Sequence, residues 1–208
     1  MPHTLLKNIF KKKLDERWLH IGPGNFHKAH QAYYLDKNNK SNNTNISILG
    51  FEINSKTMID KRLIKKNYTY SLITKGLKTK TYKINSLSKI LVASKKNYTY
   101  LEKKFVNNEI DIITLTITES GYYTIDGIID LSNKLIKKDI EYNKINTVYG
   151  LFYRLLIFSK NYKKKIPIIS CDNLDSNSLN FKKNLKVFIK KKDRKLLKLI
   201  DKNFIFLN

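Results

Sequence analysis

Apolar and polar positions alternate along the chain in two rhythms, one typical of strands and one typical of helices. Apolar runs, mostly β-branched, predict strands at residues 17–21, 47–51, 110–118, 166–170 and 204–207. Apolar residues at helical spacing predict helices at residues 26–37, 98–107, 146–158 and 179–200. Weaker patterns predict a helix at residues 58–63 and extended segments at residues 68–72, 81–84 and 90–92. The alternation indicates an α/β fold with a doubly wound, mostly parallel sheet and a small antiparallel excursion.

Two segments carry more detailed expectations. The run 110–118 is almost continuously apolar or β-branched, which is typical of a parallel strand covered on both faces. The polar stretch 38–44 predicts a loop after the first helix. The packed face of that helix is expected to comprise Ala29, Ala32, Tyr33 and Leu35.

The chain is expected to form one domain. No internal repeat and no linker rich in Pro, Gly or Ser divides its 208 residues, so we expect a domain at residues 17–208 after a basic arm at residues 1–16. No apolar run of about 18 residues predicts a membrane span, and the N-terminal segment lacks the pattern of a secretory signal. The single Cys171 cannot form an internal disulfide, which indicates a reducing cytoplasm.

The formal net charge of +24 has two explanations. A basic nucleic-acid-binding protein would use many Lys side chains to release counterions from phosphates. However, the lysines are scattered along the whole chain, and Lys, Asn, Ile and Tyr, whose codons are rich in A and T, are all heavily used. Because no helix-turn-helix or RNA-binding motif is present, we favour compositional drift and keep nucleic-acid binding as the weaker alternative.

A glycine-rich turn follows the first predicted strand directly. Gly22 and Gly24 flank Pro23 and precede a predicted helix. In a Rossmann-like sheet, the first glycine permits a tight turn and the second lets a dinucleotide pyrophosphate approach the helix amino terminus. The usual third glycine is replaced by His27, so an ordinary strand-to-helix turn remains an alternative.

Three polar residues follow other predicted strands, where ligands of open α/β sheets bind. Glu52 is placed to accept hydrogen bonds from an adenosine ribose, or it is a solvated loop acid. Glu119 is placed to relay protons, or it caps a helix or loop. Asn173 could stabilise an alkoxide oxygen, although the residues alone favour a turn. No metal site is predicted, because no second ligand cluster accompanies the histidines at 20, 27 and 30.

Taken in order, four segments resemble the long-chain mannitol dehydrogenase family, which includes mannitol 2-dehydrogenase, fructuronate reductase and tagaturonate reductase. HIGPGNFHKAHQAYYLD is similar to the glycine-rich opening of the family, Gly-x-Gly-x-Phe-His-Arg-Ala-His-Gln. LTITESGYY, INTVYGLFYRLL and IISCDNLDSNS are similar to three later segments, the last being the Ser-Cys-Asp-Asn motif. The resemblance covers nearly all of residues 17–208.

The resemblance implies a Rossmann-like domain that binds a nicotinamide dinucleotide, NAD, with NADP not excluded. The cofactor-binding residues it implies are Gly22, Gly24, Asn25, Phe26, Glu52 and Thr118. Asn173 would stabilise the oxygen of the substrate carbonyl or alkoxide, and Glu119 would be the acid at the mouth of the proton path. These two are the candidate catalytic residues.

Several departures from the family pattern affect these expectations. Ser55 and Lys56 stand near the positions of an acidic pair that often follows the second strand, which leaves the choice between NAD and NADP open. Lys28 replaces an arginine, and Ser178 replaces a glycine, which is expected to strain a turn. The family continues into a helical substrate domain with the lysine base. We therefore expect a chain cut off before that domain, which binds a sugar or polyol only with it.

Three hypotheses follow. The chain is the cofactor-binding portion of an oxidoreductase that moves a hydride between NAD(H) and a polyol or keto-sugar acid, inactive or nearly so by itself. Alternatively, it is a decayed remnant that binds NAD without catalysis. The basic nucleic-acid-binding protein is the third hypothesis.

Overall fold

The structure is a computed structural model that describes residues 14–142, 144–172 and 176–207. The strands are β1 (Asp15–Ile21), β2 (Ile46–Glu52), β3 (Tyr70–Thr74), β4 (Lys80–Ile84), β5 (Leu87–Val92), β6 (Ile112–Leu115), β7 (Thr124–Ile125), β8 (Ile128–Ile129), β9 (Ile166–Ser170) and β10 (Phe204–Leu207). The helices are α1 (Asn25–Ala29), α2 (Gln31–Asn42), α3 (Lys61–Lys65), α4 (Lys95–Val106), α5 (Lys134–Glu141), α6 (Val148–Phe158), α7 (Asn177–Lys192) and α8 (Leu197–Asn203). Most of the predicted basic arm, residues 1–13, lies outside the described residues.

The main sheet confirms the predicted fold class. Its strand order is β10-β9-β6-β1-β2-β5, and every neighbouring pair runs parallel. When these six strands are numbered 1 to 6 in chain order and read from β5 to β10, the order is 3-2-1-4-5-6, which is that of a Rossmann sheet. The topological switch lies between β1 and β6. The antiparallel excursion is the β3–β4 hairpin between β2 and β5, and β7 and β8 form a second small ribbon.

Two apolar clusters cover the two faces of the sheet. Along β2, Ile48 belongs to the smaller cluster, whereas the next residue, Leu49, belongs to the larger one. Ile90 and Leu91 of β5 divide in the same way. Because successive strand residues point to opposite faces, this alternation shows that the sheet is buried on both sides.

The predicted helix 26–37 is wrong in one respect, because it is two helices. His30, with φ −114° and ψ −80°, separates α1 from α2. The break turns Ala29 to the solvent, so its predicted place on the packed face is wrong, while Ala32 and Leu35 are buried as expected and Tyr33 is half-buried. Helix α2 also continues through most of the predicted loop 38–44 and ends where Asn43 adopts a left-handed conformation with φ 51°.

Other differences are local. Strand β6 ends at Leu115 rather than residue 118, because the chain there leaves the sheet and lines a cleft. The predicted helix 179–200 divides at Asp193, whose side chain accepts the N–H of Lys195. Ser178 lies inside α7, and its hydroxyl accepts the N–H of Ser170 at 2.9 Å. The backbone strain lies two residues earlier, at Ser176, which precedes α7 with φ 50°.

The outer positions of the sheet differ from its centre. Strand β10 is an edge strand that pairs with β9, and its Ile205 and Leu207 side chains are each 43% exposed. Within the part of the chain that the structure describes, no helix is long and apolar enough to cross a membrane.

Candidate functional site

The candidate site lies at the carboxyl edge of the sheet, beside the switch point. Strands β1 and β6 are in register up to Ile21 and Leu115. Immediately beyond, the N–H of Thr116 donates to the Ile21 carbonyl at 2.9 Å, and the N–H of Gly22 donates to the Phe51 carbonyl at 3.0 Å. The segments that follow β1, β2 and β6 therefore start side by side, where open α/β sheets bind ligands.

The glycine turn, residues 22–24, is shaped by its neighbour across the switch point. Gly22 has φ +82°, and a Cβ atom there would lie 2.1 Å from the Thr116 carbonyl oxygen. Only glycine fits such a position. Gly24 differs, since its φ is −80° and the nearest atom to an added Cβ would be the Gly22 oxygen, at 3.9 Å. The fold requires the first glycine, whereas the second leaves open space in front of the backbone.

Helix α1 begins directly after this turn. Its N-cap residue is Gly24, and no side chain among the described residues caps the helix there. The first N–H groups of a helix lack partners within the helix and carry partial positive charge. Within the turn both N–H groups are already used, that of Gly22 by the Phe51 carbonyl and that of Gly24 by the Gly22 carbonyl. The backbone donors that could receive an anion here are therefore the first N–H groups of α1.

Two buried histidines brace the turn from below. The rings of His20 in β1 and His27 in α1 are both 0% exposed and stack with centroids 3.8 Å apart. Nδ1 of His20 contacts the Thr114 hydroxyl at 2.7 Å, and Nδ1 of His27 contacts the Gln31 amide oxygen at 2.7 Å. Burial lowers the pKa of His27 to about 4, and burial together with the neighbouring ring holds the pKa of His20 well below its ordinary value. Both rings are neutral at pH 7 and act as packing groups.

A first cleft of about 670 Å³ opens in front of the glycine turn. It brings together four predicted site residues: Gly22, Gly24, Glu52 and Thr118. The Glu52 carboxylate lies at the end of β2, where its Oε1 accepts the N–H of Asn54 at 3.0 Å. The other lining residues are Ile21, Ile53, Asn54, Ser55, Lys56, Thr116, Ile117, Gly121, Tyr123, Leu135, Ile145, Asn146, Thr147 and Val148. Its shape suits an extended ligand that reaches from the end of β2 across the switch point.

A second cleft of about 690 Å³ lies on the other side of residues 116–118. It contains two further predicted site residues, Phe26 and Glu119, together with Thr118. Cys171 and Asp172 form its wall on the side of β9. Asn25 is exposed and lines neither cleft, so the structure separates it from the rest of the predicted set. Asn173 lies outside the described residues.

Sequence reasoning missed two carboxylates that fix the walls of these clefts. Asp172 accepts hydrogen bonds from the Ile117 N–H at 2.6 Å, from the Tyr122 hydroxyl, and from the Asn177 amide at 3.0 Å. Asp139, 0% exposed, accepts from the backbone and side chain of both Asn146 and Thr147. Asp172 belongs to the Ser-Cys-Asp-Asn motif, but two of its three donors, Ile117 and Tyr122, come from distant positions, so its role was not predicted. No pattern in the sequence marks Asp139.

Residues of metal-binding type are dispersed in the described segments. Within residues 14–142, 144–172 and 176–207, no three His, Cys, Asp or Glu side chains converge to form a metal site. Cys171 is half-buried, and burial raises the pKa of its thiol, which disfavours the thiolate.

Comparison with known proteins places this geometry in a family. The family model described as the mannitol dehydrogenase Rossmann domain matches residues 16–208. Mannitol 2-dehydrogenase of Aspergillus clavatus is 28% identical over 209 residues, which cover 94% of this chain and 40% of that protein. D-mannonate oxidoreductase of Escherichia coli K12 is 28% identical over 203 residues, covering 93% of this chain and 41% of that protein.

Solved structures agree with these sequence relatives. Mannitol 2-dehydrogenase of Pseudomonas fluorescens, in a ternary complex with NAD and D-mannitol, superposes with a TM-score of 0.80 and 29% identity, covering 92% of this chain and 40% of that one. A substrate-free D-sorbitol dehydrogenase gives a TM-score of 0.77 at 27% identity, covering 93% and 41%. The chain spans about two fifths of the length of the curated relatives it matches. The protein belongs to the mannitol dehydrogenase family, and its residues 16–208 correspond to the Rossmann domain of that family.

Proposed function

We propose that this chain binds NAD(H) along the carboxyl edge of its sheet, as the cofactor-binding portion of a polyol or sugar-acid dehydrogenase. The observation that carries the proposal is the position of the glycine turn. It lies at the switch point of a 3-2-1-4-5-6 sheet, at the start of a helix and in front of an open cleft. A solved relative of 29% identity is described as a complex with NAD.

Each proposed contact except that of Asn25 uses a residue that lines a cleft. Gly24 leaves room for the pyrophosphate to approach the backbone at the start of α1. Glu52 accepts hydrogen bonds from the adenosine ribose hydroxyls at the end of β2. Thr118 lines both clefts, so it contacts the nicotinamide half where the first cleft meets the second. Asn25 and Phe26 begin the helix that receives the phosphates, and Phe26 borders the second cleft.

The second cleft is the proposed place of chemistry. Bound NAD would accept a hydride from a CH–OH carbon while the hydroxyl loses its proton. Glu119 lines this cleft and would relay that proton, and Asn173 would hold the substrate oxygen. We propose that the sugar or polyol binds only with a further domain, since the family model matched here is that of the Rossmann domain. The lone, half-buried Cys171 supports a cytoplasmic location.

A calorimetric titration of the purified chain with NADH tests cofactor binding. We expect a Kd between the micromolar and millimolar ranges, and we expect Gly24→Val to weaken binding at least about tenfold because its side chain fills the phosphate position. Gly76→Val is the matched control, because a Cβ at Gly76 meets nothing within 4 Å and lies in the β3–β4 hairpin. Absence of heat at millimolar NADH, or equal losses in both variants, would contradict the proposal.

Two further measurements separate the alternatives. Formation of NADH from added NAD, followed by absorbance at 340 nm with D-mannitol or D-mannonate present, reports turnover; binding without turnover supports a module that needs more than this chain. Titration with duplex DNA at several salt concentrations tests the basic-protein hypothesis. Tight DNA binding that falls steeply with salt, in a chain that binds no NADH, would replace the proposed function.

A further inference from the structure

The segment that separates the two clefts, residues 116–123, is called the Thr116 loop here. Its first N–H, that of Thr116, still belongs to the sheet and donates to Ile21. The next N–H, that of Ile117, lies beyond the last residue of β6 and has no ladder partner to donate to. The Asp172 carboxylate accepts the hydrogen bond of this N–H at 2.6 Å, so a side chain takes the place of the carbonyl that a neighbouring strand would supply.

The same carboxylate holds the far end of the loop. Its second oxygen accepts the Tyr122 hydroxyl, and Tyr122 is 4% exposed. The Tyr122 carbonyl in turn accepts the hydroxyl of the fully buried Tyr149 at 3.0 Å. Asn177 completes the set by donating to Asp172 at 3.0 Å from the first turn of α7. Asp172 therefore ties both ends of the Thr116 loop to β9, to α7 and to the core beneath.

The loop in turn sets the space in front of the glycine turn. The Thr116 carbonyl lies where a side chain at residue 22 would be, so the loop and the turn are in direct contact. Gly121 packs so closely on Ile117 that an added Cβ would lie 2.6 Å from the Ile117 Cγ2 atom. A displacement of Ile117 thus moves a wall common to both clefts.

We infer that Asp172 is a positioning residue, which fixes the Thr116 loop against the glycine turn and thereby sets dinucleotide affinity. The inference rests on the proposed function, since it concerns the same clefts. Asp172 acts through Ile117 and Thr116 and need not contact the ligand. The carboxylate suits this position because it accepts hydrogen bonds from all three groups that surround it.

The principal test is Asp172→Asn, which keeps the size of the side chain but places an amide donor among donors. We expect affinity for NADH to fall about tenfold to a hundredfold, the effect of losing a charge-assisted hydrogen bond in a partly buried site. Asp130→Asn is the matched control. The Asp130 carboxylate also accepts two hydrogen bonds, both from Ser132, but it lines neither cleft.

A pH profile distinguishes positioning from a purely structural role. Burial raises the pKa of Asp172 despite its hydrogen bonds, so it becomes protonated at a higher pH than an exposed aspartate. We expect the affinity of the wild-type chain for NAD to fall as the pH is lowered and Asp172 becomes protonated. We expect the affinity of Asp172→Asn to lack this dependence on pH. Tyr122 and Cys171 face the carboxyl group with raised pKa values and stay protonated in acid. His27 is common to both proteins, so its titration cancels in the comparison.

The outcomes separate this inference from the proposed function. A wild-type chain that binds no NADH contradicts the proposed function itself. A wild-type chain that binds NADH, with Asp172→Asn equal to it in affinity and in pH profile, contradicts the positioning role alone. If Asp172→Asn shows no cooperative unfolding transition, Tyr122→Phe replaces it. That variant removes one of three donors, and a folded Tyr122→Phe with unchanged affinity would overturn the inference.

Discussion

The glycine turn and the Thr116 loop meet at the switch point but are held in place by different means. Shape fixes the turn, because Gly22 needs a positive φ and leaves no room for a side chain beside Thr116. Hydrogen bonds to Asp172 fix the loop, whose own N–H groups lie beyond the end of the strand. A motif in the sequence reveals the first device, whereas the second becomes visible only when distant residues are placed together.

The difference has a consequence for mutational sensitivity. A segment fixed by shape tolerates no added atom at its critical position, and its failure is steric and complete. A segment fixed by hydrogen bonds fails in proportion to the donors left unpaired, and it responds to pH. Substitutions in the two regions are therefore expected to differ in how much stability or affinity they remove and in whether their effect depends on pH.

The largest effect is expected for Gly22→Ala, which breaks the shape-fixed region. Its Cβ would overlap the Thr116 carbonyl, and the left-handed backbone adds strain of about 1–3 kcal/mol. We expect total destabilisation of roughly 4 kcal/mol or more, measured by urea unfolding, or no folded protein at all. Gly24→Ala is the control and should unfold within about 1 kcal/mol of the wild type while binding NADH less tightly. Equal stability of the two variants would show that shape does not fix the turn.

The next largest effect tests whether a buried carboxylate also fixes the segment before α6, as Asp172 fixes the Thr116 loop. Asp139→Ala leaves four buried or half-buried donors of Asn146 and Thr147 without their acceptor. We expect a loss of at least about 3 kcal/mol in the free energy of unfolding. Asp201→Ala, which removes an exposed pairing with Lys182 and Lys186, should cost less than about 1 kcal/mol. Similar losses in the two variants would argue against a special role for the Asp139 network.

Acid should weaken the glycine turn through the stacked histidines. The pKa of His27 lies near 4 in the folded chain against an ordinary 6.5, so the unfolded chain takes up a proton first as the pH falls. Stability is therefore full above pH 6.5 and is lost as the pH falls toward 4, by about 3 kcal/mol for His27. Urea unfolding between pH 7 and about 4.5 measures this slope. His27→Phe should flatten it and the exposed His30→Gln should not; an unchanged slope in His27→Phe would refute the linkage.

The smallest effect concerns the end of β2, where charge of both signs borders the first cleft. Glu52 should favour NADH by accepting from the ribose and repelling a 2′-phosphate, and Lys56 should attract that phosphate. We expect Glu52→Gln to lower the preference for NADH over NADPH about tenfold, roughly 1.4 kcal/mol, in parallel calorimetric titrations. Lys56→Gln should shift the preference the other way. A ratio that neither variant changes would place the ribose elsewhere.

The sequence predicted the sheet well because buried parallel strands encode themselves in short apolar runs. Strand β9 has the predicted bounds, and β1 and β2 extend one or two residues beyond theirs. The glycine turn was recognisable because backbone geometry demands a specific residue type there. Family membership, predicted from the four resembling segments, is confirmed.

What the sequence could not predict depends on contacts between distant residues. The break at His30 follows from burying His27 against β1, which places Ala29 outside. The Asp172 carboxylate and the Ile117 N–H are 55 residues apart, and nothing local to either marks the pair. The assigned roles of Gly24, Glu52, Thr118, Glu119 and Asn173 stay predictions until ligand binding is measured.

Strand β10 has a consequence for the protein in concentrated solution. Its outer side offers peptide groups in the same spacing that β9 uses on the inner side, and Ile205 and Leu207 add apolar surface to that rim. An extended segment from another molecule could pair with β10 and add a strand to the sheet there. The formal charge of +24 makes the molecules repel one another and opposes such pairing at low ionic strength. Because salt screens this repulsion, added salt should promote self-association before it affects the fold.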